Sequence, residues 1–518
     1  MEKERTMFVA YFTYGAIVVG SQEMSLKVYE ISPKIGIRQI DYVNVYLDIS
    51  KDAYSLGKLG VDQVEAICNT LQKFQEKLAE YNVKAVECKG TSAIRSLQNR
   101  EIIVHQIKLR TGFDLSIPSN SEMRLFMYKG ITLKKENFNK MIEKNTAILD
   151  IGASSLQISL FDKQALSVTQ NIRIGTLKTQ DVLSKVEQNS PEYFSIVEEY
   201  IEYELNTFRS IYLKEKAIKN VIAIGDSSMN WSKIAPELQI TDYLTQDQVI
   251  YLYKKLRRAT TKQIAMEYGV SYEVARYLLP SIIIYKNFLD QSKAEVIWLT
   301  KTNLCDGMAV DYAEREKKVL PVHDFDQDIV MAARNFAKRY RYNKLHTVFI
   351  TDVSLHIFDH TRRYHGLGKR ERLLLELACL LHECGKFINM NEPGVNGYQL
   401  ILSTEIIGLS HRERYLVANI VLYNTTELPS YEEQNIAEPS DYLLIAKLTA
   451  ILRLANVLDR SHKQKLKDYT IIRKGGELVI AGTSQEDMTL EASLLKEKAD
   501  FFEEIYGIKP VLRQKRGL

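Results

Sequence analysis

Cysteine is scarce and scattered. Cys68, Cys88, Cys305, Cys379 and Cys384 are the only five in 518 residues, and no two form a C-x-x-C pair. That excludes a disulfide framework and a thiolate zinc site, and it fits a reducing cytoplasm. A dominant charge is also missing: 69 basic and 65 acidic residues leave a net +4, so an anion-binding surface has to come from local clustering. No apolar run reaches the length of a membrane span. The opening stretch MEKERTMFVAYFTYGAIVVG has a charged start and an apolar run, but Tyr11, Thr13 and Tyr14 break that run and no small-residue cleavage pattern follows. A signal peptide is therefore not expected. There is no low-complexity segment and no long linker. What remains is an expected soluble, cytoplasmic chain with 26% charged and 45% hydrophobic residues, long enough for three or four domains.

The periodicity divides the chain in two. As far as about residue 310, strands alternate with helices. AIVVGSQEMSLKVYEI reads as two alternating runs around Gly20-Ser21, and DQVEAICNTLQKFQEKLAEYN as a helix with Ile67, Leu71, Phe74 and Leu78 on one face. NTAILDIGASSLQISLFD repeats the theme as strand, small-residue loop, strand. The two halves each open with a hairpin carrying a Gly-Ser or Gly-x-Ser-Ser tip, and two such tips facing one cleft would offer backbone N–H groups to a single polyanion. After about Lys318 the pattern is helical, as in RERLLLELACLLHECGKFI and DYLLIAKLTAILRLANVLDRSHKQKL. The tail reads as a hairpin around Gly475-Gly476, a helix and a last strand.

Taken in order, VVGSQEMSLKVYEI, GTSAIRSLQN, SNSEMRLFMYKGI, LDIGASSLQISLFD, IRIGTLK, VIAIGDSSMN, YHGLGKRERLLLELACLLHECGKFI and ILRLANVLDRSH resemble the successive motifs of the exopolyphosphatase and guanosine pentaphosphate phosphohydrolase (Ppx/GppA) family. The resemblance implies an α/β chain of two actin-like (ribonuclease H-like) domains, 1–133 and 134–312, an all-α HD-like domain, 313–466, and a small α+β C-terminal domain, 467–518. It also implies Mg²⁺-assisted attack of water that releases terminal phosphate from polyphosphate or guanosine pentaphosphate. Homodimers are implied as well, with polyphosphate or guanosine penta- or tetraphosphate as ligand and neither DNA nor membrane as partner.

The same resemblance assigns roles. Glu122 stands for the catalytic base and Asp150 for the metal- and water-orienting aspartate. Ser21, Arg95, Gly152, Ala153, Ser154 and Ser155 stand for the phosphate-binding residues. Hard carboxylate oxygens suit Mg²⁺, and an Arg fork suits phosphate. The chain departs from the pattern at several places. Val18 replaces an aspartate, Gln157 an acidic residue, Asn120 a glycine and Met123 a second glutamate, while Glu23 is a substitute carboxylate one loop position away.

In the helical domain His382-Glu383 stands for His-Asp, and Asn424 and Asn456 replace a histidine and an aspartate. Too few ligands are left there for a metal site, which makes His382 a hydrogen-bonded core histidine. The basic run HTRRYHGLGKRER is either a channel lining for a polyphosphate tail or a solvated helix face. Two functional readings stay open: a hydrolase, and a catalytically weakened binding protein for polyphosphate or (p)ppGpp. An ATP-dependent kinase on the same fold would need a closer glycine approach than the lone Gly225 of AIGDSSMN offers.

Overall fold

The structure is a computed structural model that describes residues 11–50, 52–134, 138–152, 155–175, 179, 193–213, 217–225, 231–270, 272–433 and 438–516. It forms two compact units, 1–325 and 326–518. No helix among the described residues is long and apolar enough to cross a membrane.

The first unit holds two sheets built on one plan. In the first, β1 (Phe12–Val19) pairs antiparallel with β2 (Glu23–Ser32), which pairs with β3 (Gly36–Tyr46); β4 (Ala85–Gly90) and β5 (Leu115–Ser116) continue parallel on the other side. In the second, β6 (Thr146–Ile151), β7 (Leu156–Asp162) and β8 (Ala165–Ile172) form the same meander. β9 (Asn220–Ile224), β10 (Tyr243–Thr245) and β11 (Val296–Leu299) complete the order β10-β11-β9-β6-β7-β8.

Alternation decides what each face carries. Ile17, Val19, Met24, Leu26 and Val28 form one core with Ile67, Leu71, Phe74 and Leu78 of α1 (Val61–Glu80), the helix face read from the sequence. Ala147, Leu149, Ile151, Leu156, Ile158 and Leu160 form the other. The opposite faces are more polar. Asp150 pairs directly with Gln157, and Ser159 with Thr169, so all four share one face of the second sheet.

The site draws on α2 (Ser92–Arg95), which α3 (Arg100–Thr111) follows, on α4 (Asn120–Lys134) and, in the second half, on α5 (Tyr272–Asp290). α6 (Leu304–Arg315) then crosses back to the first sheet. Its Asp306 takes Lys27 Nζ and Tyr29 Oη, both at 2.9 Å, and its Tyr312 ring stacks on Tyr14 at 4.4 Å. α4 does the converse, with Tyr128 set edge-on to Phe161 of β7 at 5.7 Å and Arg124 bonded to Gln157. The two helices cross where any Cβ on Gly307 would lie 1.7 Å from the Phe126 carbonyl, so only glycine fits there. This exchange of helices fixes the start of α4, which carries Glu122 and Arg124, against both sheets.

The second unit is helical, with α7 (Lys344–His360), α8 (Lys369–Leu381), α9 (His411–Tyr423) and α10 (Pro439–Val457). A small sheet of β12 (Lys467–Lys474), β13 (Glu477–Ser484) and β14 (Lys509–Arg516) follows, with α11 (Thr489–Tyr506) between its last two strands. The hairpin at Gly475-Gly476, the helix and the last strand are as the sequence reads.

Candidate functional site

The glycine of each hairpin tip makes the same backbone bond. Gly20 N–H donates to the Glu23 carbonyl at 2.8 Å, and Gly152 N–H to the Ser155 carbonyl at 3.0 Å. The glycine N–H of each tip is therefore used within its own turn, so Gly152 does not offer that donor to a phosphate. Ala153 and Ser154 lie outside the described residues.

On the first-sheet side, Ser21 meets Tyr54, which no sequence motif singles out. The Tyr54 hydroxyl bonds to Ser92 Oγ at 2.9 Å and to the Ser21 side chain. Burial raises the Tyr54 phenol above its ordinary value, while Ser92, the charge of Arg95 and Ser21 pull the other way. Arg95, at the end of α2, points its guanidinium at the start of α4. It donates to the Pro118 carbonyl at 2.7 Å and to Asn120 Oδ1, and touches Met123 Sδ at 3.3 Å. Asn120 and Met123, two of the departures from the family pattern, are therefore what holds the arginine in place. Gln22 in the first tip accepts from the Tyr277 hydroxyl of α5, which ties this tip to the second half.

Glu122 closes a reciprocal cap on α4. Its Oε2 accepts from Ser119 N–H at 2.7 Å, and Ser119 Oγ accepts from Glu122 N–H at 3.1 Å. Among the described residues Oε1 makes no hydrogen bond, so one carboxylate oxygen caps the helix and the other remains to take a proton.

Two residues further along α4, Arg124 is only 1% exposed. Its Nε donates to Gln157 Oε1 at 2.7 Å and its Nη1 to Thr169 Oγ1 at 2.5 Å, and Thr169 is bonded in turn to Ser159 Oγ at 2.8 Å. Burial pushes the Asp150 carboxyl up to about 6, against the pull of the Arg124 charge. Gly225, at φ +85, lets the end of β9 pass beside this carboxylate; a Cβ there would lie 3.0 Å from Asp150 Oδ1. The structure joins Glu23 to Asn44, whose Nδ2 lies 2.6 Å from Glu23 Oε2, and not to Asp150.

Magnesium requires several hard oxygens bearing negative charge. Among the described residues, Asp150 has an amide opposite it and a guanidinium as its charged neighbour, and this donor set falls short of that requirement.

In the second unit two of the five lysines and arginines of the basic run are held in ion pairs. Arg370 forks onto Glu413 at 2.6 and 2.9 Å, and Arg372 onto Asp359 at 2.9 Å.

Paired sheets, each led by an antiparallel hairpin and joined by exchanged helices, define a two-domain α/β class, and a helical unit with a small sheet follows in the chain. Residues 40–316 match the Ppx/GppA phosphatase family and residues 330–498 match Ppx/GppA phosphatase, domain III; the chain belongs to this family. A guanosine-5'-triphosphate,3'-diphosphate pyrophosphatase of Photobacterium profundum is 20% identical over 464 residues, covering 87% of this chain and 88% of that protein. The protein of the same description from Vibrio vulnificus is 20% identical over 438 residues, covering 83% and 84%. The crystal structure of the Aquifex aeolicus family member superposes with a TM-score of 0.51 at 16% identity, covering 59% of this chain and 99% of that one. An exopolyphosphatase from Cytophaga hutchinsonii superposes with a TM-score of 0.51 at 18% identity, covering 60% and 100%. The structural likenesses establish the fold, and the matches over residues 40–316 and 330–498 establish the family.

Proposed function

We propose that the chain binds the terminal phosphates of inorganic polyphosphate or guanosine pentaphosphate in the first unit and releases the terminal phosphate by attack of water. The observation that carries this reading is the convergence of Ser21, Tyr54, Ser92 and Arg95, three hydroxyls and a guanidinium, beside the start of α4. These are donors suited to phosphate oxygens, and an arginine fork adds geometric fit. Glu122 caps α4 through Oε2 and takes the water proton through Oε1. The relatives described as guanosine-5'-triphosphate,3'-diphosphate pyrophosphatases and the neighbour described as an exopolyphosphatase support the substrate class. The protein acts as a cytoplasmic homodimer, with no DNA or membrane as partner.

A second reading, binding without turnover, is favoured by Arg124. A buried guanidinium beside Asp150 supplies the positive charge there and discourages a divalent cation. Phosphate release from long-chain polyphosphate and from guanosine pentaphosphate, each with and without Mg²⁺, separates the two. Release that Glu122→Gln abolishes supports the hydrolase; tight binding with no release supports the binding protein.

A further inference from the structure

The two halves of the first unit carry opposite charges at equivalent places. Val18 stands two residues before the tip glycine Gly20, as Asp150 does before Gly152. Beside Val18, in the parallel register of β1 and β4, is Lys89; beside Asp150, in the parallel register of β6 and β9, is Ile224. Register partners share a face of the sheet. The first half therefore presents a cation in the row where the second half presents a carboxylate.

Lys89 is held in place on that face. Its side chain is 13% exposed, with Nζ 3.3 Å from Glu87 Oε2 and 5.0 Å from the centre of the Phe126 ring. Glu87 is shared with Arg315, so its carboxylate already serves two cations.

Helix α4 gathers further positive charge about the same place. Its Phe126 lies under Lys89, its Arg124 is buried against Gln157 and Thr169 of the second sheet, and its Asn120 and Met123 hold Arg95. Asp150 and Glu122 are the carboxylates assigned to this site, and one oxygen of Glu122 is taken by the helix cap. A divalent cation here would meet fixed positive charge from both sheets, and like charges repel strongly where the local dielectric is low. A phosphate chain meets the reverse. Ammonium and guanidinium groups compensate its charge directly, whereas Mg²⁺ gives up its own water reluctantly.

Resting on the reading of this site as a phosphate site, we propose that the chain takes its polyanion free of metal, with Lys89 and Arg124 supplying the positive charge that Mg²⁺ would otherwise bring. The ligand is then uncomplexed polyphosphate or guanosine pentaphosphate. Mg²⁺ competes with the protein for the same phosphate oxygens, so apparent affinity falls by mass action as Mg²⁺ rises. This inverts the dependence that the family resemblance implies.

The test titrates labelled long-chain polyphosphate with the full chain, followed by fluorescence anisotropy in chelator and again in excess Mg²⁺ at matched ionic strength. Affinity should be about tenfold higher in chelator. Lys89→Met and Arg124→Met, confirmed as folded by circular dichroism, should each weaken the metal-free binding about tenfold, whereas Arg124→Lys, which keeps the charge, should retain most of it. The comparison of the two solutions needs only the unaltered chain, so it stands if a methionine variant fails to fold. Binding that Mg²⁺ leaves equal or makes tighter, or folded methionine variants that bind as the parent does, would overturn this inference and leave the phosphate site in place. No binding in either solution would overturn both.

Discussion

Arg124 Nε donates to Gln157 Oε1 at 2.7 Å, and the two side chains together cover the face of the second sheet on which Asp150 stands. Gln157 stands where the family pattern has an acidic residue, so Asp150 has an amide opposite it and the Arg124 guanidinium as its charged neighbour.

Restoring the acidic residue alone should therefore fail. Gln157→Glu puts a carboxylate against Arg124, and the expected result is a buried ion pair, a higher unfolding temperature and unchanged phosphate release. Arg124→Ala with Gln157→Glu removes the competing cation. Mg²⁺-dependent release should then rise about tenfold, equivalent to about 1.4 kcal/mol in the barrier. A malachite green assay across a Mg²⁺ titration reads both variants; equal release from the double variant and the parent would sink the idea.

Glu122 is expected to separate its two tasks cleanly. A glutamine at the third position of a capping box still bonds the helix start, so Glu122→Gln should unfold within about 2 °C of the parent while release falls below detection. Glu122→Ala should lose release and also about 1 kcal/mol of stability. Unchanged turnover in the glutamine variant would remove Glu122 as the base.

Arg95→Ala should weaken polyphosphate binding, and the remaining affinity should depend less on salt, because exposed charge contacts are screened as ionic strength rises. Fluorescent polyphosphate titrated at two salt concentrations measures this. An identical salt dependence with and without Arg95 would detach that residue from the ligand.

Asp150 gives a pH signature. Its carboxyl is raised from 3.8 to about 6 in the fold, chiefly by burial. Between those values the native state holds a proton that the unfolded chain has released, so stability falls as pH rises through the window. The contribution is fully present below about pH 4 and lost above about pH 6, and for a partly buried group amounts to about 2 kcal/mol. Asp150→Asn removes the slope. Urea midpoints from pH 3.5 to 7 should converge differently for parent and variant; parallel curves would contradict the burial.

Much of the first unit was legible in the sequence because alternation and helical period are local. The α1 face and both hairpins follow from them. What was not legible is long-range pairing. Tyr54 reaches Ser92 across 38 residues and Arg124 reaches Gln157 across 33, with no local pattern to announce either. Departures such as Asn120 and Met123 read as erosion in the sequence, yet in the fold they hold Arg95.

The return of α6 to the first sheet also constrains how the chain is made. Lys27 and its partner Asp306 are 279 residues apart, and both are buried. At about 5–20 residues per second, the ribosome takes on the order of tens of seconds to deliver that partner. Throughout that interval the nascent first sheet carries an ammonium and two tyrosines, Tyr14 and Tyr29, on a face with nothing to cover it. A chain stopped anywhere before residue 304 lacks Asp306 and leaves Lys27 and Tyr29 without their shared carboxylate.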